Sequence, residues 1–353
     1  MNIYSLTLPS VFETSFGNTE SSAKDLLNGL KIKKDNAWYM VGNLAKTGGT
    51  NPHHITNAAP GEEDYDIFFS AALVSVLEKI QQPLTITVGF PFSTYNVYKA
   101  EAEKLLGRRH LMIEYDTQTF NTGGGVKKGL FEIDNFEVIP ELVASIIGLK
   151  KLLNEQAPSN FMVISLGFGT VEGGMATESG LIHRTCFSSH GLQYVVDNLN
   201  RELGKKYYLE MKNAHQLDDA LMKGSIFINR KKIDLKTLRK ELLEQYYREV
   251  ITPLLRKYFT DQDFEQCEKI YLVGGGTFYP ELTEAFMKAF AEAIPVEIAP
   301  QAEKLASIGY LYNSYKLSNR SAPRSLGIDI GNSTTIVSLF QENSSQPNAE
   351  ESV

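Results

Sequence analysis

Three predicted strands of this chain each run into a glycine-rich turn, and this arrangement constrains the fold more than any other feature. The strands cover residues 161–165, 269–273 and 325–330, and glycines follow each of them. Such turns aim successive backbone N–H groups at one point, which suits them to binding an anion. One turn alone is more often a plain hairpin with glycine at a positive φ. Two such hairpins in one chain favour a phosphate site that is closed from two sides.

The alternation of strands and helical patterns along the chain is typical of α/β proteins. Residues 38–41 and 84–88 are further predicted strands, and the clearest helical pattern covers residues 235–258, where Pro253 is expected to kink the helix. The 353 residues are enough for about two domains. His53 and His54 are expected in a surface loop, because in a strand they would point to opposite faces and not converge on a metal.

Composition and charge exclude several classes of protein. Hydrophobic residues make up 42% of the chain and charged residues 22%, which is ordinary for a globular protein. No apolar stretch approaches the ~18–20 residues of a membrane span. The net charge of -7 argues against direct binding of nucleic acid. Two cysteines, together with an N-terminus that lacks the basic flank of a secretory signal, predict a cytoplasmic protein.

The last of the three turns carries the strongest chemical signal. A strand runs into Asp329, the turn follows over residues 331–334, and a second strand begins at Thr335. The carboxylate at the rim can hold a hydrated Mg²⁺, while the backbone N–H groups and hydroxyls of the turn bind phosphate. The glycines at 274–276 leave the backbone bare for the flat approach of a nucleoside. Neither the dinucleotide-binding pattern nor the P-loop pattern fits these segments.

These segments resemble the phosphate-1, phosphate-2 and adenosine motifs of the ATPase superfamily that includes actin, Hsp-type chaperones and sugar kinases. The residues that carry the resemblance are 329–335, 165–170 and 273–280, with support from residues 38–45 and 84–95. Within the superfamily, the chain is most similar to bacterial and archaeal actin-like proteins of the ParM type. The resemblance implies an α/β actin-like ATPase fold, in which two facing domains of the ribonuclease H-like type bind ATP or GTP with Mg²⁺ between them.

The order of the motifs differs from that of the family. Phosphate-1 opens the chain in relatives, whereas here it follows the adenosine motif and residues 305–310, which resemble the second interdomain connector. Circular permutation is the simplest account, with the polar segment 318–324 joining the old ends. It implies a first domain of residues 1–160 plus 305–353, a second domain of residues 161–304, and a disordered tail over residues 341–353. The closing hairpin should then lie beside the first half of the chain.

The resemblance also assigns site residues by position. Glu141 follows Pro140 at a predicted helix start and matches the residue that orients the attacking water. Ser165 stands where most relatives carry an aspartate, so turnover is in doubt; Glu172 is either a substitute acid or an outward-facing strand residue. The implied phosphate ligands are Gly167, Phe168, Gly169, Thr170, Gly331, Asn332, Ser333, Thr334 and Thr335; the implied nucleoside contacts are Gly191, Gly274, Gly275, Gly276 and Thr277; the implied metal ligands are Asp329 and, through water, Ser165.

The function implied by the resemblance is that of a nucleotide-dependent filament, cytoskeletal or cytomotive, with DNA segregation or cell shape as its role. The implied partners are further copies of the chain and an adaptor protein or cargo, and the implied activity is slow hydrolysis of ATP or GTP. Two alternatives stay open. One is a non-polymerising, nucleotide-binding scaffold of the same fold. The other is a small-molecule kinase, which needs an acid to take a proton from its substrate, and beyond Glu141 and Asp329 no candidate stands out.

Overall fold

The computed structural model describes residues 2–15, 23–55, 59–107, 109–207 and 213–341. Helices pack on two large β-sheets, which is the α/β organisation expected from the sequence. The predicted disordered tail lies outside the described residues except for Gln341.

The first sheet takes its strands from both ends of the sequence. Its ten described strands are β1 (Asn2–Pro9), β2 (Val11–Thr14), β3 (Lys31–Lys34), β4 (Ala37–Val41), β5 (His53–His54), β6 (Leu84–Phe90), β7 (His110–Asp116), β8 (Val126–Pro140), β17 (Ser325–Ile330) and β18 (Thr334–Gln341), in the spatial order β1-β18-β17-β6-β8-β7-β3-β4-β2-β5. Strand β18 pairs antiparallel with β1 and β17, whereas β17 pairs parallel with β6. The closing hairpin therefore lies beside the first half of the chain, as predicted.

The second sheet is built from the middle of the sequence. Its six described strands are β9 (Phe161–Leu166), β10 (Thr170–Thr177), β11 (Gly180–Leu181), β12 (Phe187–His190), β15 (Lys269–Val273) and β16 (Val296–Ile298); β13 (Ser225–Ile228) and β14 (Lys231–Asp234) form a separate hairpin. Strand β9 pairs antiparallel with β10 and parallel with β15. The phosphate-2 turn follows β9 and the adenosine motif follows β15. Because these two strands are parallel, both segments lie at the same end of the sheet.

Helices cover the faces of both sheets. They are α1 (Asn43–Gly48), α2 (Glu63–Val76), α3 (Tyr95–Leu106), α4 (Glu141–Leu153), α5 (Gln193–Gly204), α6 (Ala214–Lys223), α7 (Lys236–Tyr246), α8 (Thr252–Tyr258), α9 (Asp261–Gln266), α10 (Pro280–Phe290) and α11 (Leu305–Leu317). Most side chains of α2 are buried around its whole circumference, which is expected of a helix enclosed by other elements. Pro140 precedes α4 and Glu141 lies in its first turn, so the helix start predicted there is confirmed.

Strand β17 is buried on both faces, as is usual for a central strand between two helical layers. Leu326 and Ile328 pack into the same core cluster as α2. On the opposite face, a side chain at Gly327 would collide with the backbone of α11. Asp329 lies on the same face as Gly327, because side chains of a strand alternate with a period of two. The strand therefore directs the predicted metal ligand towards α11.

Helices α4 and α11 connect the two sheets and pack against each other. Helix α4 leads from β8 to β9, and α11 leads from β16 back to β17. The helices approach closely at two glycines: a side chain at Gly148 would meet the carbonyl oxygen of Leu305, and one at Gly309 would meet that of Ala144. The chain leaves the first sheet at Pro140 and enters the second at Phe161, and it returns to the first sheet between Ile298 and Ser325.

Two local predictions differ in detail from the structure. The helix predicted over residues 235–258 is divided into α7 and α8 by a π-helical turn, Tyr247–Ile251. This turn ends two residues before Pro253. The surface loop predicted at the two adjacent histidines is wrong, because they form β5, which pairs with β2, and His54 is only 9% exposed. The strand at His53–His54 comes from contacts that are distant in sequence, with β2, Phe168 and His215.

Candidate functional site between the two sheets

The two predicted phosphate turns have the same local hydrogen bond and contact each other. The amide of Gly167 donates to the carbonyl oxygen of Thr170 at 2.9 Å, and the amide of Gly331 donates to that of Thr334 at 3.0 Å. A side chain at Gly169 would collide with the amide group of Asn332. The absence of a side chain at Gly169 thus lets one turn approach the other, and the structure brings the phosphate-1 and phosphate-2 motifs together.

The adenosine motif lies next to the phosphate-2 turn on the second sheet. Gly274 has a φ of 84°, and a side chain there would lie 2.8 Å from the carbonyl oxygen of Leu166. Thr277 donates its hydroxyl back to the Gly274 carbonyl oxygen at 2.8 Å, which holds the turn. Gly275 is exposed and has open space where a side chain would lie, whereas Gly276 is buried.

Gly191 supports the phosphate-2 turn from behind. Its amide donates to the carbonyl oxygen of Gly169 at 3.0 Å. A side chain here would lie 2.5 Å from the carbonyl oxygens of Gly167 and Phe168. The structure thus places this predicted nucleoside contact against the predicted phosphate-2 turn. Ser165, at the end of β9, is 4% exposed and pairs with Glu172 across the hairpin.

The side chains of the phosphate-1 turn have different partners. Thr335 is buried and shares a hydrogen bond of 2.9 Å with the hydroxyl of Ser10, so its side chain supports the sheet. Asn332 donates to the carbonyl oxygen of Ile55 at 3.1 Å. Ser333 donates to Asp218 at 2.9 Å, whereas Thr334 is exposed. The backbone of the turn and the Ser333 hydroxyl are therefore the groups best placed to bind phosphate.

Three carboxylates lie close to one another beside the turns: Glu141, Glu172 and Asp329. Burial raises the pKa of Glu141 well above its ordinary value, and the charges of Glu172 and Asp329 raise it further. Burial also raises the pKa of Asp329 and that of Glu172. Acids close together in a low dielectric resist simultaneous ionisation, and a cation among them would favour their charged forms. The cluster is the strongest concentration of potential negative charge in the site.

Glu172 has the environment of a functional acid. Its side chain is fully buried, so the outward-facing alternative is wrong. The amide of Phe92, just beyond β6 of the first sheet, donates to Oε1 at 2.5 Å, whereas Oε2 is buried without a partner in the described part of the molecule. Glu172 thus joins the two sheets and keeps one oxygen available. The sequence contained a weak signal for it, since Glu172 lies two residues past Thr170 of the phosphate-2 motif, where it is a candidate substitute acid.

Two tyrosines border the carboxylate cluster and have no sequence motif. The hydroxyls of Tyr65 and Tyr310 are buried and have no hydrogen-bond partner among the described residues. Burial raises the pKa of Tyr310 well above its ordinary value, as do the charges of Asp329 and Glu141. Both tyrosines are therefore neutral donors beside the acids. A side chain at Gly89 would collide with the Tyr310 hydroxyl, so this glycine keeps the space open.

The donor set suits a hydrated magnesium ion. Within the described residues, no group of three His, Cys, Asp or Glu side chains is arranged to hold a metal ion by itself. Mg²⁺ usually keeps several waters and binds through one or two carboxylates together with phosphate oxygens. Asp329 and the buried, unpartnered Oε2 of Glu172 fit that requirement. When bound, the ion would neutralise charge on the phosphate groups.

Helix α6 contributes residues that sequence reasoning missed. Asp218 accepts the Ser333 hydroxyl, and His215 lies 5.5 Å from His54, measured between ring centroids. Asp219 forms a 2.6 Å ion pair with Lys46. These contacts join α6, which packs with the second sheet, to the first sheet and the segments that connect its strands. No motif marks α6, so no local signal in the sequence could have identified them.

The overall fold matches that of solved actin-like proteins. The α/β actin-like fold predicted by resemblance is therefore confirmed. No protein-family model and no curated protein matches the sequence. None of the described helices is long and apolar enough to span a bilayer.

Several solved structures have this fold. The archaeal actin homolog Ta0583 superposes with a TM-score of 0.68 at 16% identity, over 89% of this chain and 92% of its own. Its complex with ADP superposes with a TM-score of 0.64 at 15% identity, over 89% of this chain and 92% of its own. The pCBH ParM non-polymerisable quadruple mutant gives 0.69 at 16% identity, over 88% of this chain and 92% of its own. A 15-stranded ParM filament from Clostridium botulinum gives 0.67 at 15% identity, over the same shares as that mutant.

Proposed function

We propose that this protein binds ATP or GTP with Mg²⁺ between its two sheets and assembles into filaments, with slow hydrolysis of the nucleotide. The observation that carries the proposal is the contact between the two glycine turns, Gly169 against Asn332, beside a buried cluster of carboxylates. Phosphate is expected on the backbone amides of both turns, and the nucleoside on Gly274–Gly276. The fold shared with the ParM filament and with the ADP-bound Ta0583 supports filament formation and nucleotide binding.

In the proposed reaction, Glu141 orients the attacking water and Asp329 holds the hydrated metal. Phosphoryl transfer depends mainly on positioning and charge stabilisation, so a carboxylate that accepts a proton from water is a suitable group. Glu172 supplies the negative charge that Ser165 lacks, because its free oxygen lies on the adjacent strand β10. Each sheet with its helices acts as one domain, close to the predicted boundaries at 160 and 305.

We also propose that the chain is a circular permutation of the common actin-like order. The closing hairpin β17–β18 lies between β1 and β6, which is the place that an N-terminal hairpin would take if the chain began there. The register pairs Asn2 with Gln341, so the end of the closing hairpin lies beside the start of β1.

Purified protein tests the proposal in two measurements. Calorimetric titration with ATP and with GTP, in the presence of Mg²⁺, is expected to detect binding. Sedimentation and negative-stain imaging at micromolar concentrations are expected to detect filaments only when nucleotide is present. Tight binding without polymer would favour the scaffold alternative, and phosphate transfer to a sugar without polymer would favour the kinase. The absence of binding to either nucleotide would contradict the proposal.

The catalytic assignment is tested with Glu141→Gln. Phosphate release is expected to fall about 100-fold, because the amide cannot accept a proton from water. Nucleotide affinity should stay within about threefold of the original, since Glu141 contacts water and not the nucleotide. The matched control is Glu155→Gln, an exposed residue beyond α4, which should leave release unchanged. Equal release by the two variants would remove Glu141 from the mechanism.

A further inference from the structure

Helix α6 presents one face to the predicted nucleotide site. Asp218 and Asp219 follow His215 by three and four residues, so each lies on the same side of the helix as His215. All three contact the first sheet or the segments that connect its strands: His215 meets His54, Asp218 accepts the Ser333 hydroxyl at 2.9 Å, and Asp219 pairs with Lys46 at 2.6 Å. Asp218 is thus fixed over the phosphate-1 turn.

The helix is also held at its N-terminus. Asn213 caps α6 together with Gln216, and its side-chain amide donates to the carbonyl oxygen of Pro52 at 2.7 Å. The amide also donates to the side chain of Asn51 at 3.1 Å. Because the cap and one face of α6 are both bound to the first sheet and its connecting segments, the helix holds the backbone of Asp218 beside the phosphate-1 turn.

The position of Asp218 conflicts with a bound phosphate. Its carboxylate accepts the same hydroxyl that a phosphate oxygen would accept at Ser333. It is half-buried, and the charge of Asp218 is felt at the buried Tyr279 hydroxyl of the adenosine motif. A phosphate chain bound at the phosphate-1 turn would therefore lie close to this carboxylate, and two anions that are close together repel strongly where water is excluded.

From this geometry we infer that Asp218 is a specificity-determining residue, which makes the site accept a nucleoside triphosphate as its magnesium complex and reject the metal-free anion. This inference rests on the proposed function. The carboxylate competes for the Ser333 hydroxyl and repels the phosphate chain. A magnesium ion on the phosphates removes most of that repulsion, so the metal complex pays a smaller electrostatic penalty. Asp219 has no such effect, because Lys46 neutralises it.

The test compares the Kd for ATP and for GTP in excess Mg²⁺ with the Kd in excess EDTA, by calorimetry on the full chain. In Asp218→Asn, the metal-free triphosphate is expected to bind about tenfold tighter than in the original protein, while the Kd in Mg²⁺ changes less than about threefold. The ratio of the Kd in EDTA to the Kd in Mg²⁺ is therefore expected to be smaller in Asp218→Asn than in the original protein. Asp219→Asn is the matched control on the neighbouring residue and should keep the original ratio.

The outcomes separate the inference from the proposed function. If the original protein binds nucleotide and Asp218→Asn has the same ratio of the Kd in EDTA to the Kd in Mg²⁺, the inference is overturned but the proposed function is not. An equal reduction of the ratio by Asp219→Asn also overturns it, because the effect would then be one of overall charge. No binding by the original protein in Mg²⁺ overturns both the inference and the proposed function. Asp218→Ser removes the same charge and provides a second reading if the asparagine variant does not fold.

Discussion

At the scale of single residues, the site is dominated by the balance between buried acids and the cation expected among them. Glu141, Glu172 and Asp329 have raised pKa values because they are buried close to one another. Ser165, on the strand beside Glu172, is neutral where the resemblance implies an aspartate. The neutral residue avoids a fourth buried carboxylate.

This explanation predicts the behaviour of Ser165→Asp. Without metal, the added carboxylate should lower the free energy of unfolding by about 1–3 kcal/mol, because it is buried next to like charges. With Mg²⁺ and nucleotide, the loss should shrink and phosphate release should rise. Urea unfolding in EDTA and in Mg²⁺, together with phosphate release, measures both effects. Ser165→Ala is the uncharged control. An unchanged rate of release in Ser165→Asp would mean that the serine does not limit turnover.

The buried histidine pair predicts a dependence of stability on pH. Burial, together with His215, lowers the pKa of His54 to about 4 from an ordinary value of 6.5. The unfolded chain therefore takes up a proton before the folded chain does, so His54 stabilises the fold above pH 6.5 and this stability is lost as the pH falls from 6.5 towards 4. The difference amounts to about 2–4 kcal/mol.

The variant His54→Phe tests this dependence, since it keeps a ring next to Phe168 and removes the titrating group. Between pH 6.5 and pH 4, its free energy of unfolding should decline less steeply than that of the original protein. The matched control is His53→Phe, at the exposed neighbour, which should keep the original slope. Identical slopes for all three proteins would show that His54 is protonated in the folded state.

At the scale of elements, the crossing of α4 and α11 determines how the two sheets face each other. The crossing depends on small residues, because the helices approach until the backbone of one meets Gly148 or Gly309 of the other. Helix α4 also carries Glu141, and α11 carries Tyr310. The helix packing therefore positions a catalytic candidate and a neighbouring hydroxyl at the same time.

Gly309→Ala tests the packing of this crossing. The added methyl group would overlap the carbonyl oxygen of Ala144, which is backbone and cannot turn aside. The free energy of unfolding should fall by about 1–3 kcal/mol, as is usual for overpacking. Gly204→Ala is the control, because nothing lies within 4 Å of a side chain at that helical glycine; it should be neutral or stabilising by up to about 1 kcal/mol. Equal stabilities of the two variants would contradict the close approach of α4 and α11.

At the scale of the whole molecule, the first sheet is completed by the last described residues of the chain. Strand β18 lies between β1 and β17, and its Val337 and Leu339 belong to the same core cluster as Leu6 and Leu8 of β1. The position of a segment in the sequence matters less than its neighbours in the sheet, since core contacts survive a change of connection.

Moving the hairpin tests the proposed permutation. A chain of residues 325–341, a short Asn-Gly turn and residues 2–324 should fold, because Gln341 and Asn2 are cross-strand neighbours that a tight turn can join. Its free energy of unfolding should lie within about 2 kcal/mol of that of residues 1–341. Circular dichroism during urea unfolding makes the comparison. A chain of residues 1–324 is the negative control and should not fold. If residues 1–341 fold but the rearranged chain does not, the proposed permutation is contradicted.

The sequence by itself determined the features that depend on neighbouring residues. Glycines after strands predicted the turns at 167–170 and 331–334, Pro140 predicted the start of α4, and alternating β-branched segments predicted the strands that carry the motifs. The resemblance of these motifs led to the fold and to most of the candidate site. Turn geometry, helix starts and strand periodicity are local, so a short stretch of sequence is sufficient to encode them.

Only the tertiary structure decided which groups from distant segments meet. Asp218 reaches Ser333 because α6 packs against the first sheet, and Tyr310 lies near Asp329 because α11 packs against β17. His54 became a buried strand residue through its contacts with Phe168 and His215. Such contacts depend on the packing of whole helices and sheets, and the residues that make them have ordinary local patterns, so nothing near them in the sequence distinguishes them from surface residues.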